Sequence, residues 1–148
     1  MKIERTVTVD VPLRAAYDYL ADFTTTTQWD PGTVSTVRIE GHGGVGTWYR
    51  NTSRFLGRET SLTYVVEDRE REKRIRLRGE NKTVVSVDTM TFRRTAAGTE
   101  VTYAAEFTFK GPSRLLAPLL RPAFTRLGND AEEGLRSALV GLRSESSP

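Results

Sequence analysis

Residues 73–110 read KRIRLRGENKTVVSVDTMTFRRTAAGTEVTYAAEFTFK. Apolar and polar side chains alternate over three strand-length stretches, near 73–79, 83–94 and 99–110. Alternation with a period of two is the mark of a strand with one buried face. Asn81-Lys82 and Ala96-Ala97-Gly98 separate the stretches, and such clusters make turns. Connections this short join neighbouring strands in antiparallel fashion.

Outward from this core, three further strands read near 34–41, 45–55 and 59–67, joined by Gly41-His42-Gly43-Gly44 and Leu56-Gly57. The stretch from Val34 to Lys110 is therefore an antiparallel meander. Residues 2–9 form one more strand, with Ile3, Val7 and Val9 on one side. Arg5 interrupts that side, which places it at a strand end. Asp10 and Pro12 then open a helix carrying Leu13, Ala16, Tyr17 and Leu20 at helical spacing, with Asp10 as the expected cap. This helix should stop near Asp22–Phe23, since Thr24–Thr27 is a run of poor helix formers. A loop or a short second helical turn is expected there, closed by Gln28-Trp29-Asp30-Pro31-Gly32.

After Gly111-Pro112, Ser113 reads as the cap of a long helix reaching about Arg143. Leu116, Leu120, Phe124, Leu127, Ala131, Leu135 and Leu139 make one apolar stripe. Pro118 and Pro122 interrupt it and predict a kink or break near 117–122. Residues 1–143 read as a single domain and Ser144–Pro148 as a frayed tail.

The turns also fix which side chains point inward. A tight turn at Gly57 sets Asn51 against Leu62 or Tyr64. A two-residue turn at Asn81-Lys82 sets Leu77 against Ser86 and Ile75 against Asp88. Pairing Phe92 with Val101 sets Met90 against Tyr103 and Asp88 against Ala105. All three turns put Tyr49, Asn51, Leu62, Tyr64, Leu77, Asp88, Met90, Tyr103 and Phe107 on one inner face. Arg74, Arg76 and Arg78 fall on the outer face, where water solvates them.

The order strand, short helix, Trp-Asp-Pro-Gly turn, meander and long final helix resembles the helix-grip fold. This is the START and birch-pollen-allergen superfamily, and within it the bacterial polyketide cyclase/dehydrase-like (SRPBCC) group. The stretches that carry the likeness are Val9-Asp10-Val11-Pro12 running into Tyr17 and Leu20, Gln28–Gly32, Val45-Gly46-Thr47, Gly98–Tyr103 and Leu115–Leu127. The resemblance implies an α+β helix-grip fold: a curved antiparallel sheet of about seven strands wrapped around the C-terminal helix, with one or two short helices after the first strand. It further implies an apolar cavity between sheet and helix, holding a lipid, sterol or polyketide. The group has no universal catalytic motif, so the fold alone names no reaction.

Composition narrows the rest. The 148 residues include no Cys and one His, His42, which excludes disulfides, thiolate chemistry and multi-His metal sites. No metal or other cofactor is expected, and His42 reads as an exposed turn residue. The net charge is only +3 although the isoelectric point is about 9.4. The densest basic stretch, Arg69–Arg78, also holds Glu70 and Glu72, so no nucleic-acid partner is expected. The longest apolar run, Leu115–Leu120, contains Pro118 and is far too short to span a bilayer. The N-terminus begins directly as a strand, and a cytoplasmic location without membrane insertion is the expectation.

Asp88 is the sharpest candidate. Facing inward, it would be a carboxylate whose proton is held more tightly by burial, suited to acid or base work on an enolisable substrate. Tyr64 and Tyr103 would then donate hydrogen bonds to a carbonyl gaining negative charge. The plainer reading pairs Asp88 with an arginine or turns it to solvent. Trp29, Tyr49, Asn51, Leu62, Leu77, Met90 and Phe107 are the expected ligand-binding wall. Phe124, Leu127 and Ala131 are the helix residues expected over the cavity. Trp29 reads either as a lid or as a pin holding its loop. The expected partner is a hydrophobic small molecule, polyketide-like or lipid-like. A cyclase or dehydratase using Asp88, and a protein-interaction module of the same fold, which a cavity packed shut would favour, are the alternatives.

Overall fold

A computed structural model describes the backbone of residues 1–145 and the side chains through Arg143. Seven antiparallel strands form one sheet: β1 Lys2–Val9, β2 Thr33–Glu40, β3 Trp48–Phe55, β4 Arg58–Glu70, β5 Arg74–Glu80, β6 Val84–Thr95 and β7 Gly98–Phe109. Their spatial order is β1-β7-β6-β5-β4-β3-β2. β2 to β7 form the meander, and β1 pairs with β7 to complete the sheet. The helices are α1 Leu13–Ala21, α2 Thr26–Trp29 and α3 Arg121–Glu145. This is the helix-grip arrangement, with α3 lying along the inner face. Among the described residues, no helix is long and apolar enough to cross a membrane.

Several local expectations need correction. The β5–β6 turn is longer than two residues, so Leu77 pairs with Asp88 and Ile75 with Met90. Asn81 causes the change: its Oδ1 accepts from the amides of Thr83 and Val84, holding a wider loop. The shift is by two residues, so every side chain keeps its face. Strand β3 begins at Trp48, because residues 44–47 form a turn in which the Thr47 amide donates to Gly44 O. Arg5 lies within β1, not at its end, and reaches α3 through Asn129 Oδ1 at 3.0 Å.

Neither expected helix cap is used. Pro12 occupies the cap position of α1 without a side-chain bond, and Asp10 instead pairs with Arg143 at 2.9 Å. Ser113 caps nothing: Gly111–Leu120 is a 3-10 segment whose cap residue is Lys110. The predicted break is a change of helix type between residues 120 and 121. Pro118 sits in the 3-10 segment, and Pro122 falls in the first turn of α3, where a missing N–H costs nothing. The change of pitch also breaks the stripe, leaving Leu116 exposed while Phe124, Ala131, Leu135 and Leu139 are buried. Of the expected tail, residues 144 and 145 continue α3 and 146–148 lie outside the described residues.

The threonine run folds as the second helical turn. A 3-10 turn at Phe23–Thr25 leads into α2. The Asp22 carboxylate accepts from the Thr24 amide, and Thr25, Thr26 and Thr27 donate their hydroxyls to carbonyls three residues back. These bonds offset the poor helix propensity of β-branched residues.

Two glycines set the inner dimensions. A Cβ at Gly79 would lie 2.6 Å from the Tyr64 ring, so this position must be bare for Tyr64 to lie flat across the sheet. A Cβ at Gly134 would lie 1.9 Å from the Trp29 carbonyl oxygen, so α3 seats directly on the end of α2. Gly134→Ala tests this seat. Helix propensity alone would favour alanine by about 1 kcal/mol, whereas overpacking against backbone should give a net loss of about 3 kcal/mol. Urea denaturation reads the sign; a stabilised variant would refute the contact.

Candidate functional site

Between α3 and the concave face lies a cavity of about 220 Å³. Its two ends differ in chemistry because the strands crossing it do. Phe55, Phe107 and Phe109 come from the ends of β3 and β7 and surround Phe124 of α3, with ring centroids 5.0, 4.8 and 5.9 Å from it. The other end collects polar groups from the strand centres and from the loop after α2.

Asp88 stands at that polar end, 7% exposed. Its Oδ1 accepts from Ser86 Oγ at 2.7 Å and its Oδ2 from the Tyr103 hydroxyl at 3.2 Å. Both donors are neutral, and the other charge bearing on it is Asp30, of the same sign. Burial therefore dominates and pushes the Asp88 carboxyl up to about 6, against the partial relief of Ser86 and Tyr103. The structure thus supports neither the arginine partner nor the solvent-facing placement. Tyr64 and Tyr103 are raised well above the usual phenol range, first by burial and then by the Asp88 charge. Both stay protonated donors at neutral pH.

Asp30 is a second acid at this end. Its Oδ1 accepts from the Gly32 amide and its Oδ2 from Thr33 Oγ1, yet burial outweighs these bonds and raises its carboxyl. Beside it runs a chain of neutral groups. Asn51 Nδ2 donates to Thr36 Oγ1 at 2.9 Å, Ser53 donates to Asn51 Oδ1 at 2.7 Å, and the Thr26 and Thr36 hydroxyls bond at 2.6 Å. Trp29 is 2% exposed. Its ring meets Tyr103 edge-on at 5.4 Å, while Gly134 packs on its carbonyl. In this structure it is packed as a pin for its loop. Its Nε1 is the one buried side-chain polar atom without a partner among the described residues.

The cavity brings together most of the residues read from sequence. Asp88, Tyr64 and Tyr103 line it, as do Asn51, Leu62 and Phe107 from the sheet and Trp29 from the end of α2. Phe124, Leu127 and Ala131 line it from α3. Tyr49, Leu77 and Met90 do not: they are buried in the core outside the lining. Tyr49 packs instead against Phe23, with ring centroids 5.5 Å apart. Ser86, Asp30, Thr26 and Phe55 were missed. Ser86 carried a legible signal, since it lies two residues before Asp88 and must share its face. His42 is exposed in its turn. Among the described residues, no three His, Asp or Glu side chains converge as a metal site.

A buried acid without a cation destabilises the fold once it ionises. Below the unfolded pKa both states hold the proton and nothing is lost. Between about pH 4 and 6 the unfolded chain ionises first, so stability falls as pH rises, by about 3 kcal/mol in all. Asp88→Asn should remove this slope, stabilising the protein at pH 7.5 by about 2–3 kcal/mol and little at pH 4. Denaturation midpoints across this range measure it; an equal effect at both ends would place the cause elsewhere.

Known proteins resemble this chain in the same way. The family model described as polyketide cyclase / dehydrase and lipid transport matches residues 1–143. No curated protein matches significantly. The structure of TTHA0849 from Thermus thermophilus superposes with a TM-score of 0.81 at 16% identity, covering 99% of this chain and 100% of that one. Zhui aromatase/cyclase from a Streptomyces species gives 0.78 at 16% identity, covering 93% and 92%. A START superfamily protein from Mycobacterium smegmatis gives 0.74 at 14% identity, covering 99% of each. Identities this low speak for the fold, and the family match spans nearly the whole sequence. The chain is a member of the polyketide cyclase/dehydrase and lipid transport family, built on the START-like helix-grip fold.

Proposed function

We propose that this protein binds a hydrophobic small molecule in the cavity between α3 and the sheet. One observation carries the reading: the cavity joins a wall of four phenylalanines to a single polar end. Apolar surface with few polar groups at one place is how sites for organic ligands are built. The open space of about 220 Å³ also lacks the packed-shut interior that would favour the interaction-module alternative. Size narrows the ligand. A cavity of about 150 Å³ holds benzene, so this one suits a substituted ring, a compact bicycle or a short chain end. A long polyketide or acyl chain would have to extend beyond this space.

A second reading is favoured by Asp88. A buried carboxyl near 6 holds and releases a proton close to neutral pH, as acid–base catalysis requires. Tyr103 and Tyr64 would stabilise an enolate oxygen as it forms. A cyclisation or dehydration of a polyketide-like substrate is the reaction this would serve, and the aromatase/cyclase among the structural relatives is consistent with it.

Native mass spectrometry of the purified protein, followed by denaturation and identification of any released compound, tests the binding reading. Ala131→Leu fills the lining from α3 and should weaken binding of any such compound at least about tenfold. Unchanged affinity in the filled variant would overturn the site. If the released compound is turned over, Asp88→Asn should lower turnover by about 10²–10⁴-fold while binding persists. Retained turnover would remove Asp88 from the chemistry.

A further inference from the structure

The segment between the last strand and α3 keeps most of its leucines out of the fold. Gly111–Leu120 is ten residues long and has no buried residue. Leu115 and Leu119 are 81% and 76% exposed, and Leu116 is exposed as well. From the β3–β4 turn comes Leu56, 66% exposed, which shares a surface groove with Pro122, Ala123 and Arg126 at the start of α3. Its φ of 53° is one that leucine rarely adopts, so turn chemistry does not account for a leucine there. An exposed apolar patch of this kind marks a surface that meets something other than water.

The charge around these leucines is one-sided. From residue 107 to 129 the chain has no Asp or Glu, yet it carries Lys110, Arg114, Arg121 and Arg126. Lys110 pairs with Glu80. Among the described residues, the three arginines form no ion pair. Two acids lie near: Asp130 also lines the groove, and Glu59, beside the Leu56 turn, is paired with Arg54.

We propose that Gly111–Arg121 and the Leu56 turn form a docking surface for an anionic lipid membrane, with the leucines sinking below the headgroups and the arginines meeting lipid phosphates. Apolar side chains and cations act together at such a surface, the first by burial and the second by attraction to the anionic leaflet. Arginine suits this place because its stem can lie along the apolar layer while its head stays among the phosphates. A protein partner is a poorer match. Protein interfaces carry about one hydrogen bond per 100–200 Å², and Ser113 is the segment's one uncharged polar side chain. Ten residues are too few to span a bilayer, so the seat is on one leaflet. The proposal stands apart from the small-molecule reading but bears on it. Leu120 and Phe124, on the same stretch, line the cavity, so docking here brings one wall of the cavity to the lipid.

Sedimentation of the intact protein with extruded vesicles tests this. The vesicles are phosphatidylcholine alone, or phosphatidylcholine with about one quarter phosphatidylglycerol. At about 0.1 M salt the anionic vesicles should bind at least about tenfold more tightly than the neutral ones. Arg114→Gln with Arg121→Gln should weaken that binding about tenfold or more, and Leu115→Ser with Leu119→Ser by a similar factor. All four side chains are exposed, so the fold is left intact. Because the chain has no cysteine, Leu116→Cys gives a single attachment point for an environment-sensitive dye. Its emission should shift to the blue with anionic vesicles, whereas a dye at Ala97→Cys, in the β6–β7 turn, should not respond. No binding to either vesicle, equal binding to both, undiminished binding by the leucine variant, or a blue shift at residue 97 alone would each overturn the proposal. Self-association that the leucine variant abolishes, without vesicle binding, would overturn it too, making the patch an interface between copies of the chain. None of these outcomes touches the cavity reading, which the released compound tests.

Discussion

The seat of α3 on the backbone of Trp29 fixes the dimensions on which the rest depends. With no side chain at Gly134, the helix comes down onto the Trp29 carbonyl. From there a continuous line of contacts leads into the sheet: the Trp29 ring lies edge-on to Tyr103, and Tyr103 donates to Asp88. The height of the helix, the angle of the indole and the position of the acid are therefore one geometrical problem. At the other end of the helix axis the stack of phenylalanines around Phe124 props the roof open. Close contact at one end and bulky rings at the other leave the cavity between them.

The isolation of Asp88 follows from pleating. Strand β5 beside it carries Arg74, Arg76 and Arg78, yet these pair across with Thr91, Thr89 and Val87 on the opposite face. There they meet Asp68, Glu67 and Glu80 as exposed ion pairs, each worth little to stability in water. Asp88 lies between Leu77 and Ala105 on the inner face. The strict alternation that keeps the arginines in solvent is what withholds a counter-ion from the acid. One pattern in the sequence thus produces a charge-paired surface and a buried acid without a counter-ion.

Much of this was readable before the fold was known, and the limits have physical causes. Strand identity and face assignment came from alternation, and they survived a two-residue error in the β5–β6 register because parity is conserved. Cavity residues that depend on parity, such as Asp88, Tyr103 and Asn51, were accessible for that reason. How far along a strand the cavity extends depends on where α3 crosses, which no local pattern encodes. Tyr49, Leu77 and Met90 share the correct face but sit beyond the roof. Asp30 escaped notice because its local signature is that of a turn former bonded to Gly32 and Thr33, and its burial is a tertiary effect. The helix caps failed similarly: Asp10 and Ser113 have capping chemistry, but a long-range ion pair and a 3-10 segment claimed those positions instead.

The far edge of the sheet has a consequence of its own. Strand β2 has β3 on one side and, among the described residues, no strand on the other, and its exposed side chains include Val34, Val37 and Ile39. A flat, apolar edge of this kind is a template on which another chain can add a strand. The pairing of β2 with β3 slips twice, between Thr33 and Ser35 and again between Arg38 and Glu40. Each slip twists the strand and spoils the even spacing of its free amides and carbonyls. The irregular pairing that curves β2 thereby also blunts the edge as a template for a further strand.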